Sequence, residues 1–141
     1  MYVIIVGCGR VGALLATDFC DEGHAVVIID KDPDSFTRLG DDFQGSTITG
    51  NGIDEDVLKI AGVERADAFI TTTNGDNSNL MSAQIAQKIF GVEKVVARCS
   101  DPVRSEAYAA SGLTTICPTT VGALKIREAL GSAGAANGDG K

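Results

Sequence analysis

The fold of this chain can be inferred from the stretch Tyr2–Gly12, which reads YVIIVGCGRVG. Its first residues are all aromatic or β-branched, which is typical of a short buried strand. Gly7 ends that strand, and helical spacing of apolar residues begins at Arg10. A strand that passes through glycines into a helix starts a βα unit, so we expect strands and helices to alternate along the rest of the chain.

That alternation continues through most of the sequence. Further strands are predicted at Ala25–Ile29, Ser46–Thr49, Ala68–Thr72, Lys94–Ala97 and Leu113–Cys117. Helices are predicted to begin at Arg10, Asp32, Asp54, Asp76 or Asn77, Asp101 and Val121. Buried strands separated by helices predict an α/β fold over residues 1–130, with a doubly wound, parallel, six-stranded sheet of the Rossmann-like type.

Three of the predicted helices carry apolar side chains at helical spacing. These faces are Val11, Leu14, Leu15 and Phe19; Phe36, Leu39 and Phe43; and Met81, Ile85 and Ile89. A final amphipathic helix is predicted at Val121–Leu130. Residues 131–141 are rich in glycine and alanine, which predicts a flexible tail.

The composition narrows the classes of function. The chain has 141 residues, of which 44% are hydrophobic and 22% charged, as in a soluble globular domain with one core. Its formal net charge of -7 argues against nucleic acid as a partner. The apolar runs are far shorter than the roughly 18 residues that suggest a membrane span, so direct membrane insertion is not expected. Met1 leads almost directly into a strand, so no signal peptide is expected.

The glycine-rich turn after the first strand has the pattern G-x-G-x-x-G, formed by Gly7, Cys8, Gly9, Arg10, Val11 and Gly12. In such a turn the first glycine makes the tight bend, the second lets the backbone approach a phosphate, and the third lets the helix pack on the strand. The start of the helix offers free N–H groups and a positive dipole end to the phosphates. We therefore interpret Gly7–Gly12 as a nucleotide phosphate site, although such a turn can also serve packing alone.

Asp30 ends the second predicted strand, about 20 residues beyond the glycine turn, where a carboxylate can accept both hydroxyls of an adenosine ribose. This position disfavours the 2′-phosphate of NADP, and Lys31 would soften that penalty. The alternative is that Asp30 only caps a turn.

Further polar residues follow the next three strands. Asn51 and Gly52 lie where the adenine edge is expected, and Asn51 is either a base contact or a turn residue. The segment with Thr72, Thr73, Asn74 and Asp76 suits contact with ribose or phosphate. Arg98 ends the fifth strand and is either a phosphate partner or part of a surface ion pair.

The sequence lacks the residues of a catalytic centre at this edge. His24, the only histidine, is predicted to be a solvated turn residue at the opposite edge. Cys8, Cys20, Cys99 and Cys117 form no CxxC pair and no metal-ligand spacing, so they are expected to be buried free thiols of a reducing cytosol. We therefore expect no catalytic residues, no metal and no enzymatic activity.

Taken together, these segments resemble the N-terminal nucleotide-binding domain of the Trk/Ktr potassium-transport regulators, the TrkA-N or RCK (KTN) family. The similarity covers about residues 1–130. It rests on Tyr2–Gly12, Asp30, Gly50–Leu58, residues 61–63 and 66–68, Thr72–Asn79, residues 97–98 and Gly112–Pro118.

The resemblance implies a cytoplasmic regulatory subunit that binds NAD(H) or ATP/ADP. Such domains form homodimers and higher rings beneath an integral-membrane potassium transporter or channel, at the inner face of the membrane, and couple nucleotide occupancy to ion flux. By position, Asp76 and Asn79 match an Asp and an Asn of the family, and Arg98 matches its arginine near the phosphates. The family's last helix packs on a neighbouring subunit, and we expect the same of Val121–Leu130.

Two other functions remain open on the residues alone. The chain could be the cofactor-binding part of an NAD-dependent oxidoreductase, which hydride transfer by the isolated chain would indicate. It could also be a scaffold whose site is structural or empty, which an unchanged melting temperature in nucleotide would indicate.

Overall fold

The computed structural model describes residues 1–131. The strands of its sheet are β1 Tyr2–Val6, β2 Ala25–Asp30, β3 Ser46–Thr49, β4 Ala68–Thr71, β5 Lys94–Arg98 and β6 Thr114–Ile116. The α-helices are α1 Arg10–Asp21, α2 Glu55–Ile60, α3 Asp76–Gln84, α4 Pro102–Ala110 and α5 Pro118–Ala129. Two 3-10 helices, Pro33–Leu39 and Val63–Arg65, and a π-helical turn, Ile85–Ile89, complete the regular structure of this part of the chain.

The sheet is parallel throughout, with the spatial order β3-β2-β1-β4-β5-β6. At its centre Val6, the last residue of β1, pairs with Ile29 of β2 and with Thr71 of β4. The connections leaving these central strands diverge to opposite sides, which opens a crevice at the carboxyl ends of β1 and β4. The predicted doubly wound, six-stranded Rossmann-like sheet is confirmed.

Two apolar cores lie on the two faces of the sheet, because successive side chains of a strand point to opposite sides. Ile4 of β1 packs in one core with Leu80 of α3, and α2 and α4 also cover this face. Ile5 packs in the other core with Ala16 of α1, next to the 3-10 helix Pro33–Leu39. Both isoleucines are fully buried, so the central strand is covered on both sides.

Helix α1 contacts the sheet through small residues. A Cβ on Gly12 would lie 1.8 Å from the carbonyl oxygen of Gly7, so the helix lies too close to the end of the strand for a larger residue there. Val11 and Leu14 stay 55% and 63% exposed, and the apolar face predicted for this helix is wrong at these two positions. The buried residues of α1 are Gly12, Ala13 and Ala16.

The segment after β2 forms a 3-10 helix where an α-helix was expected. Asp32 caps it as the sequence predicts, since its Oδ1 accepts the N–H of Asp34 at 3.0 Å. Gly40 then ends the helix with a φ of 81°, which leaves Phe43 outside it. Phe36, Leu39 and Phe43 nevertheless pack against the same core, so their apolar role is confirmed although their shared helix is not.

Helix α3 buries a different face from the one predicted. Met81 is 50% exposed and Ile89 is 58% exposed, whereas Ile85 packs against the core. The π-helical turn over Ile85–Ile89 changes the direction of the last side chains relative to the α-helix before it. The buried residues of α3 are Asn79, Leu80, Ser82 and Ala83.

Helix α5 begins at Pro118, earlier than the predicted Val121, because proline fits the first position of a helix. None of the residues of α5 is buried, and Val121 and Leu124 are 44% and 54% exposed. Within residues 1–131, no helix has both the length and the apolar character needed to cross a membrane. Of the predicted flexible tail, residues 132–141 lie outside the described part of the chain.

The edge of the sheet opposite the crevice contains His24, in the turn before β2 as predicted. Its side chain was expected to be fully solvated, but it is half-buried. Its Nδ1 lies 2.8 Å from the terminal nitrogen of Met1, and its ring packs edge-on against Phe19 with 5.8 Å between ring centroids. The ring therefore has a structural role at the end of the sheet remote from the crevice.

Candidate functional site

A cavity of about 420 Å³ opens at the carboxyl edge of the sheet, where the crevice was expected. Its walls are the segments that follow β1, β2, β3 and β4, together with residues of α3. Because parallel strands end at the same edge, residues far apart in the sequence meet around this one space.

The glycine turn contributes backbone to the cavity. Gly7 has a φ of 108°, which favours glycine, and a Cβ there would lie only 3.0 Å from the backbone nitrogen of Thr73. A Cβ on Gly9 would meet nothing within 4 Å, so this residue borders open space. Gly9 is also the N-cap of α1, and the N–H groups of a first helical turn have no partner inside the helix. The turn therefore offers free donors and a positive helix end, which suit an anion.

Asp30 lies beside the glycine turn. Its Oδ2 accepts the backbone N–H of Cys8 at 2.7 Å, and its Oδ1 accepts the N–H of Asp32 at 2.8 Å. Each carboxylate oxygen has two lone pairs, so both can accept a further hydrogen bond from a ligand. The side chain thus fixes the turn and still faces the cavity as an acceptor.

The charged residues that line the cavity are Asp30, Lys31 and Arg38, two cations and one carboxylate. The Nη1 of Arg38 donates to the carbonyl oxygen of Cys8 at 3.3 Å, which holds the guanidinium against the glycine turn. This local excess of positive charge occurs in a chain whose formal net charge is -7. The cavity is therefore electrostatically suited to a ligand with negative charge.

Asn51 forms part of a turn as well as part of the wall. Its Oδ1 accepts the N–H of Ile53 at 3.1 Å, and its carbonyl oxygen accepts the N–H of Asp54 at 3.0 Å. The neighbouring Gly52 lies so close to β1 that a Cβ there would be 2.4 Å from Cγ1 of Val6. The side-chain oxygen of Asn51 is thus a turn acceptor, as the alternative interpretation of this residue expected.

The segment after β4 is tied to the glycine turn. The hydroxyl of Thr72 donates to the carbonyl oxygen of Gly7 at 3.1 Å, and the N–H of Thr72 donates to Val6 at 2.8 Å. Thr73 and Asn74 continue along the wall of the cavity. The two walls therefore hold each other in place.

Asn79 supports this segment from behind and is only 1% exposed. Its Oδ1 accepts the N–H of Thr73 at 3.0 Å and the hydroxyl of the same residue at 2.6 Å. Its Nδ2 donates to the carbonyl oxygens of Thr73 at 2.8 Å and of Arg98 at 3.1 Å. All four hydrogen-bonding positions of the amide are used, so Asn79 positions the wall and has none left for a ligand.

Arg98 and Asp76 also bond to loops at this edge. The Nη1 of Arg98 donates to the carbonyl oxygen of Thr73 at 2.9 Å and to Oδ1 of Asn74 at 3.2 Å. Its buried Nε has no hydrogen-bond partner, and no carboxylate within residues 1–131 forms an ion pair with the guanidinium. Asp76 accepts the N–H of Ser100 at 2.8 Å, which joins the start of α3 to the loop after β5. Arg98 is thus an uncompensated cation behind the wall.

A family model agrees with this arrangement. The model of the TrkA-N domain matches residues 3–118, from β1 to the first residue of α5. The chain belongs to the TrkA-N domain family. The resemblance inferred from the sequence is thereby confirmed.

Individual relatives give the same result. The Trk system potassium uptake protein TrkA of Streptomyces coelicolor is 49% identical over 116 residues, which are 82% of this chain and 52% of that protein. The chain therefore spans about half the length of this relative. The Kef CTD of Shewanella denitrificans in AMP-bound form has a TM-score of 0.79 and 25% identity, over 95% of this chain and 82% of that one. GsuK bound to ADP has a TM-score of 0.78 and 22% identity, over 94% and 34%, and this likeness concerns the fold.

Most of the predicted site residues line the cavity of this TrkA-N domain. They are Gly7, Cys8, Gly9, Asp30, Lys31, Asn51, Gly52, Thr72, Thr73 and Asn74. The others lie outside its lining. Arg10 and Val11 are exposed on the first turn of α1, Gly12 packs against the strand end, and Asp76, Asn79 and Arg98 hold the neighbouring loops.

Several lining residues of this TrkA-N domain were not predicted from the sequence. They are Ser35, Arg38, Gly75, Ser78 and Ser82. Arg38 lies eight positions after Asp30, on the 3-10 helix at the same edge of the sheet. A search of the sequence for cations after the second strand would have found it. Ser82 has no comparable signal, because its direction depends on which face α3 buries. Its hydroxyl donates to the carbonyl oxygen of Gly52 at 2.7 Å.

Cys8 contributes its backbone to the site more than its thiol. The side chain is fully buried, and its Sγ lies 3.4 Å from the carbonyl oxygen of Ser35. Burial raises the pKa of the Cys8 thiol, the Asp30 carboxylate raises it further, and Arg38 acts in the opposite direction. The thiol is therefore neutral at physiological pH and is not a nucleophile there.

The groups that face this cavity are better suited to binding a ligand than to catalysing a reaction. They are backbone N–H groups, hydroxyls, amides, two cations and one carboxylate. Within residues 1–131, no group of three or more His, Cys, Asp or Glu side chains is arranged to hold a metal ion. The site can therefore hold an anionic, hydroxyl-bearing ligand.

Proposed function

We propose that this TrkA-N domain binds NAD(H) or ATP/ADP and regulates a potassium-transport system. The observation that carries the proposal is the hydrogen bond of 2.7 Å from Cys8 to Asp30, which places a carboxylate and the free donors of the glycine turn on one cavity. Cavities that bind small molecules are typically about 300–1,000 Å³, and this one fits. The AMP-bound Kef CTD and the ADP-bound GsuK, which share the fold, support an adenine nucleotide.

The pose follows from the chemistry of the walls. The phosphates lie at the N-terminal end of α1, where backbone N–H groups are unpaired. The ribose hydroxyls donate to Asp30, which keeps lone pairs for them. The adenine lies toward Asn51 and Gly52, with the amide nitrogen of Asn51 as the donor to the base. A 2′-phosphate meets the Asp30 carboxylate, so NADP is disfavoured.

The remainder of the ligand follows the wall formed by Thr72, Thr73 and Asn74. Arg98 lies directly behind this wall and is hydrogen-bonded to its backbone and to Asn74. A phosphate charge at the wall is attracted to this uncompensated guanidinium. Ligands that differ in the number or position of phosphates therefore interact differently with the same segment.

We assign a regulatory and not an enzymatic role to this site. Hydride transfer usually needs a positioned acid or base as well as a cofactor. His24 lies at the opposite edge of the sheet, and the Cys8 thiol is neutral. The named relative in Streptomyces coelicolor is a potassium uptake protein, which favours regulation. The cofactor-binding part of an NAD-dependent oxidoreductase remains the alternative.

Assembly is proposed to involve α5. This helix has no buried residue and exposes Val121, Leu124 and Ile126 by 44%, 54% and 66%. Apolar side chains on one helix gain stability by packing against another surface. We propose that α5 packs on a second copy of the chain, in a homodimer or larger ring at the cytoplasmic face of a potassium transporter or channel.

Nucleotide occupancy then acts through the equilibrium between shapes of this assembly. A ligand shifts such an equilibrium only by binding one shape better, at about 1.4 kcal/mol for each tenfold preference. The charge difference between ATP and ADP near the glycine turn and Arg98 provides a source for the preference.

Calorimetric titration of the full chain with NAD, NADH, ATP, ADP and NADP tests the proposal. Binding of at least one of the first four, with NADP weaker than NAD, is expected. A melting temperature unchanged by millimolar amounts of all of them would contradict it, because a ligand that binds only the folded state stabilises that state. Reduction of a carbonyl substrate by the chain with NADH would favour the oxidoreductase.

A further inference from the structure

Cys99 and Cys117 are eighteen positions apart in the sequence and follow two neighbouring strands of the sheet. The last paired residues of β5 and β6 are Arg98 and Ile116, and each cysteine directly follows its strand. The N–H of Cys99 donates to the carbonyl oxygen of Ile116 at 3.0 Å, a bond that belongs to this last pair and holds Cys99 beside the end of β6. Neighbouring strands lie about 4.8 Å apart, within the Cα separations of about 4.4–6.8 Å that a disulfide spans.

Strand alternation assigns both thiols to the same face of the sheet. Val95, Ala97 and Cys99 alternate into the same core. On β6, Thr115 is the register partner of Ala97, and its hydroxyl bonds to Ser105 of α4, which covers that face. Cys117 is two residues beyond Thr115, so strand alternation turns it to the same side as Cys99.

The two sulfur atoms also meet the same short loop. The Sγ of Cys99 lies 3.6 Å from the carbonyl oxygen of Asp101, and the Sγ of Cys117 lies 3.6 Å from that of Ser100. Cys99 is completely buried and Cys117 is 8% exposed, so a small oxidant in solvent reaches Cys117 first.

The surroundings of Cys117 favour its thiolate. Cys117 is the N-cap of α5, and the hydroxyl of Thr120 donates to its Sγ at 3.4 Å. Hydrogen bonds from the side chain and backbone of Thr120 lower the pKa of Cys117, and Thr119 acts in the same direction against the effect of burial. Burial raises the pKa of Cys99. Cys117 is thus the thiol suited to attack an oxidant, and Cys99 stays a neutral thiol until it reacts with the oxidised Cys117.

We propose that Cys99 and Cys117 form a redox-active dithiol, which a hydroperoxide converts to an intramolecular disulfide between the end of β5 and the start of α5. The proposal rests on strand register and on the shared loop, and does not depend on the nucleotide site. In a reducing cytosol, where stable disulfides are rare, such a bond is transient and serves as a sensor.

The reaction balances in two steps. The Cys117 thiolate attacks one oxygen of hydrogen peroxide, the O–O bond breaks, and the products are the sulfenic acid of Cys117 and, after uptake of one proton, water. The Cys99 thiol then attacks that sulfur, an S–S bond forms, and a second water leaves with the Cys99 proton. Two electrons pass from the thiol pair to the peroxide. Any thiol reductant of the glutathione or thioredoxin class reverses the change.

The test is peptide mass spectrometry of the full chain. The chain is treated with about one equivalent of hydrogen peroxide, the reaction is stopped with acid, and the remaining free thiols are then alkylated in denaturant. Trypsin cleaves after Arg98, Arg104 and Lys125, so the two cysteines fall in separate peptides, residues 99–104 and 105–125. We expect these peptides to become linked, with the loss of two hydrogens, while Cys20 remains alkylated. Recovery of Cys99 and Cys117 in alkylated form, each in its own unlinked peptide, would overturn the proposal. Links between chains, or to Cys8 or Cys20, would also overturn it.

The variant Cys99→Ser provides the matched control. It removes the second thiol and keeps a small polar side chain, so Cys117 should now accumulate as a sulfenic acid that dimedone traps. Cys117→Ser should leave Cys99 reduced under the same conditions. Equal dimedone labelling of Cys117 with and without Cys99 would show that Cys99 does not react with it. The measurement on the unmodified chain decides the proposal even if a variant fails to fold.

Discussion

The carboxylate of Asp30 accepts a hydrogen bond of 2.7 Å from the backbone N–H of Cys8. This bond joins the end of β2 to the glycine turn after β1. The group proposed to hold the ribose therefore also fixes the segment proposed to hold the phosphates. Substitution of Asp30 should therefore affect both the ribose contact and the glycine turn. Two different substitutions are needed to separate these effects.

The pair Asp30→Asn and Asp30→Ala makes this separation. Asn keeps one acceptor for the turn but loses the negative charge, and Ala loses both. Because hydrogen bonds to a charged group contribute about 1.5–3 kcal/mol, we expect Asn to weaken nucleotide binding by about 10–100-fold in calorimetry. Ala should weaken binding further and also lower the melting temperature. Unchanged affinity in Asp30→Asn would show that the carboxylate does not contact the ligand.

Two alanine substitutions distinguish the roles of the glycines. A Cβ on Gly12 would lie 1.8 Å from the backbone of Gly7, so Gly12→Ala should lower the free energy of unfolding by about 3 kcal/mol or more. Gly9 borders open space, and its backbone suits any residue, so Gly9→Ala should change stability by less than about 1 kcal/mol. The added methyl group enters the phosphate site, and nucleotide affinity should fall. Chemical denaturation and calorimetry measure the two effects, and equal stability of both variants would contradict this assignment.

The fold and the first contacts of the site could be predicted from the sequence because they depend on local patterns. The glycine turn follows a strand and precedes a helix, and Asp30 ends the next strand, so topology alone brings them together. The surfaces of the helices could not be predicted equally well. In α1 the contact with the sheet is so close that Ala16 is buried and Leu14 is left outside.

Contacts that depend on the precise placement of side chains were beyond the sequence pattern. Arg38 reaches the cavity because the segment after β2 is a 3-10 helix that turns back to Cys8. Asn79 points inward because α3 buries a face that its apolar spacing does not show. Cys99 and Cys117 meet only once the register of β5 and β6 is known.

Asn79 should be essential for the shape of the wall after β4. Asn79→Ala removes the acceptor of the N–H and hydroxyl of Thr73 and the amide donor of the carbonyl oxygen of Arg98, whereas the carbonyl oxygen of Thr73 keeps its bond from the Arg98 guanidinium. Because buried polar groups left unpaired cost about 1–3 kcal/mol each, we expect a loss of about 2–4 kcal/mol in the free energy of unfolding. Asn79→Asp is the matched control. It keeps the acceptor oxygen and loses the two donors, so its free energy of unfolding should lie between those of the wild type and Asn79→Ala or equal that of Asn79→Ala. Wild-type stability of Asn79→Ala in urea titration would contradict this role.

The exposed face of α5 should determine the oligomeric state. Leu124→Glu places a charge in the proposed contact and should convert the assembly to monomers at micromolar concentration, as measured by light scattering after size exclusion. Ile60→Glu, on α2, makes the same change on another exposed apolar residue and should leave the assembly intact. A wild-type chain that is already monomeric, or equal effects of the two variants, would exclude α5 as the interface.

Cys117 should be the thiol alkylated fastest by iodoacetamide near neutral pH. Hydrogen bonds from Thr120 lower its pKa below the usual 9.0, whereas burial raises the pKa values of Cys8, Cys20 and Cys99. The thiolate is the reactive form, so the rate at Cys117 should fall only when the pH drops below its own lowered pKa, while the other rates rise mainly above pH 9.0.

The variant Thr120→Val tests the cause of this order. It keeps the shape of the side chain and removes the hydroxyl that donates to Cys117 at 3.4 Å. The pKa of Cys117 should then rise, and its rate profile should move to higher pH while the profile of Cys20, on α1, stays in place. Rates at each pH can be read for each cysteine from its own tryptic peptide. If the profiles of Cys117 coincide in the two proteins, the Thr120 hydroxyl does not stabilise the thiolate, and the lowering of the pKa of Cys117 must come from Thr119 and the backbone of Thr120.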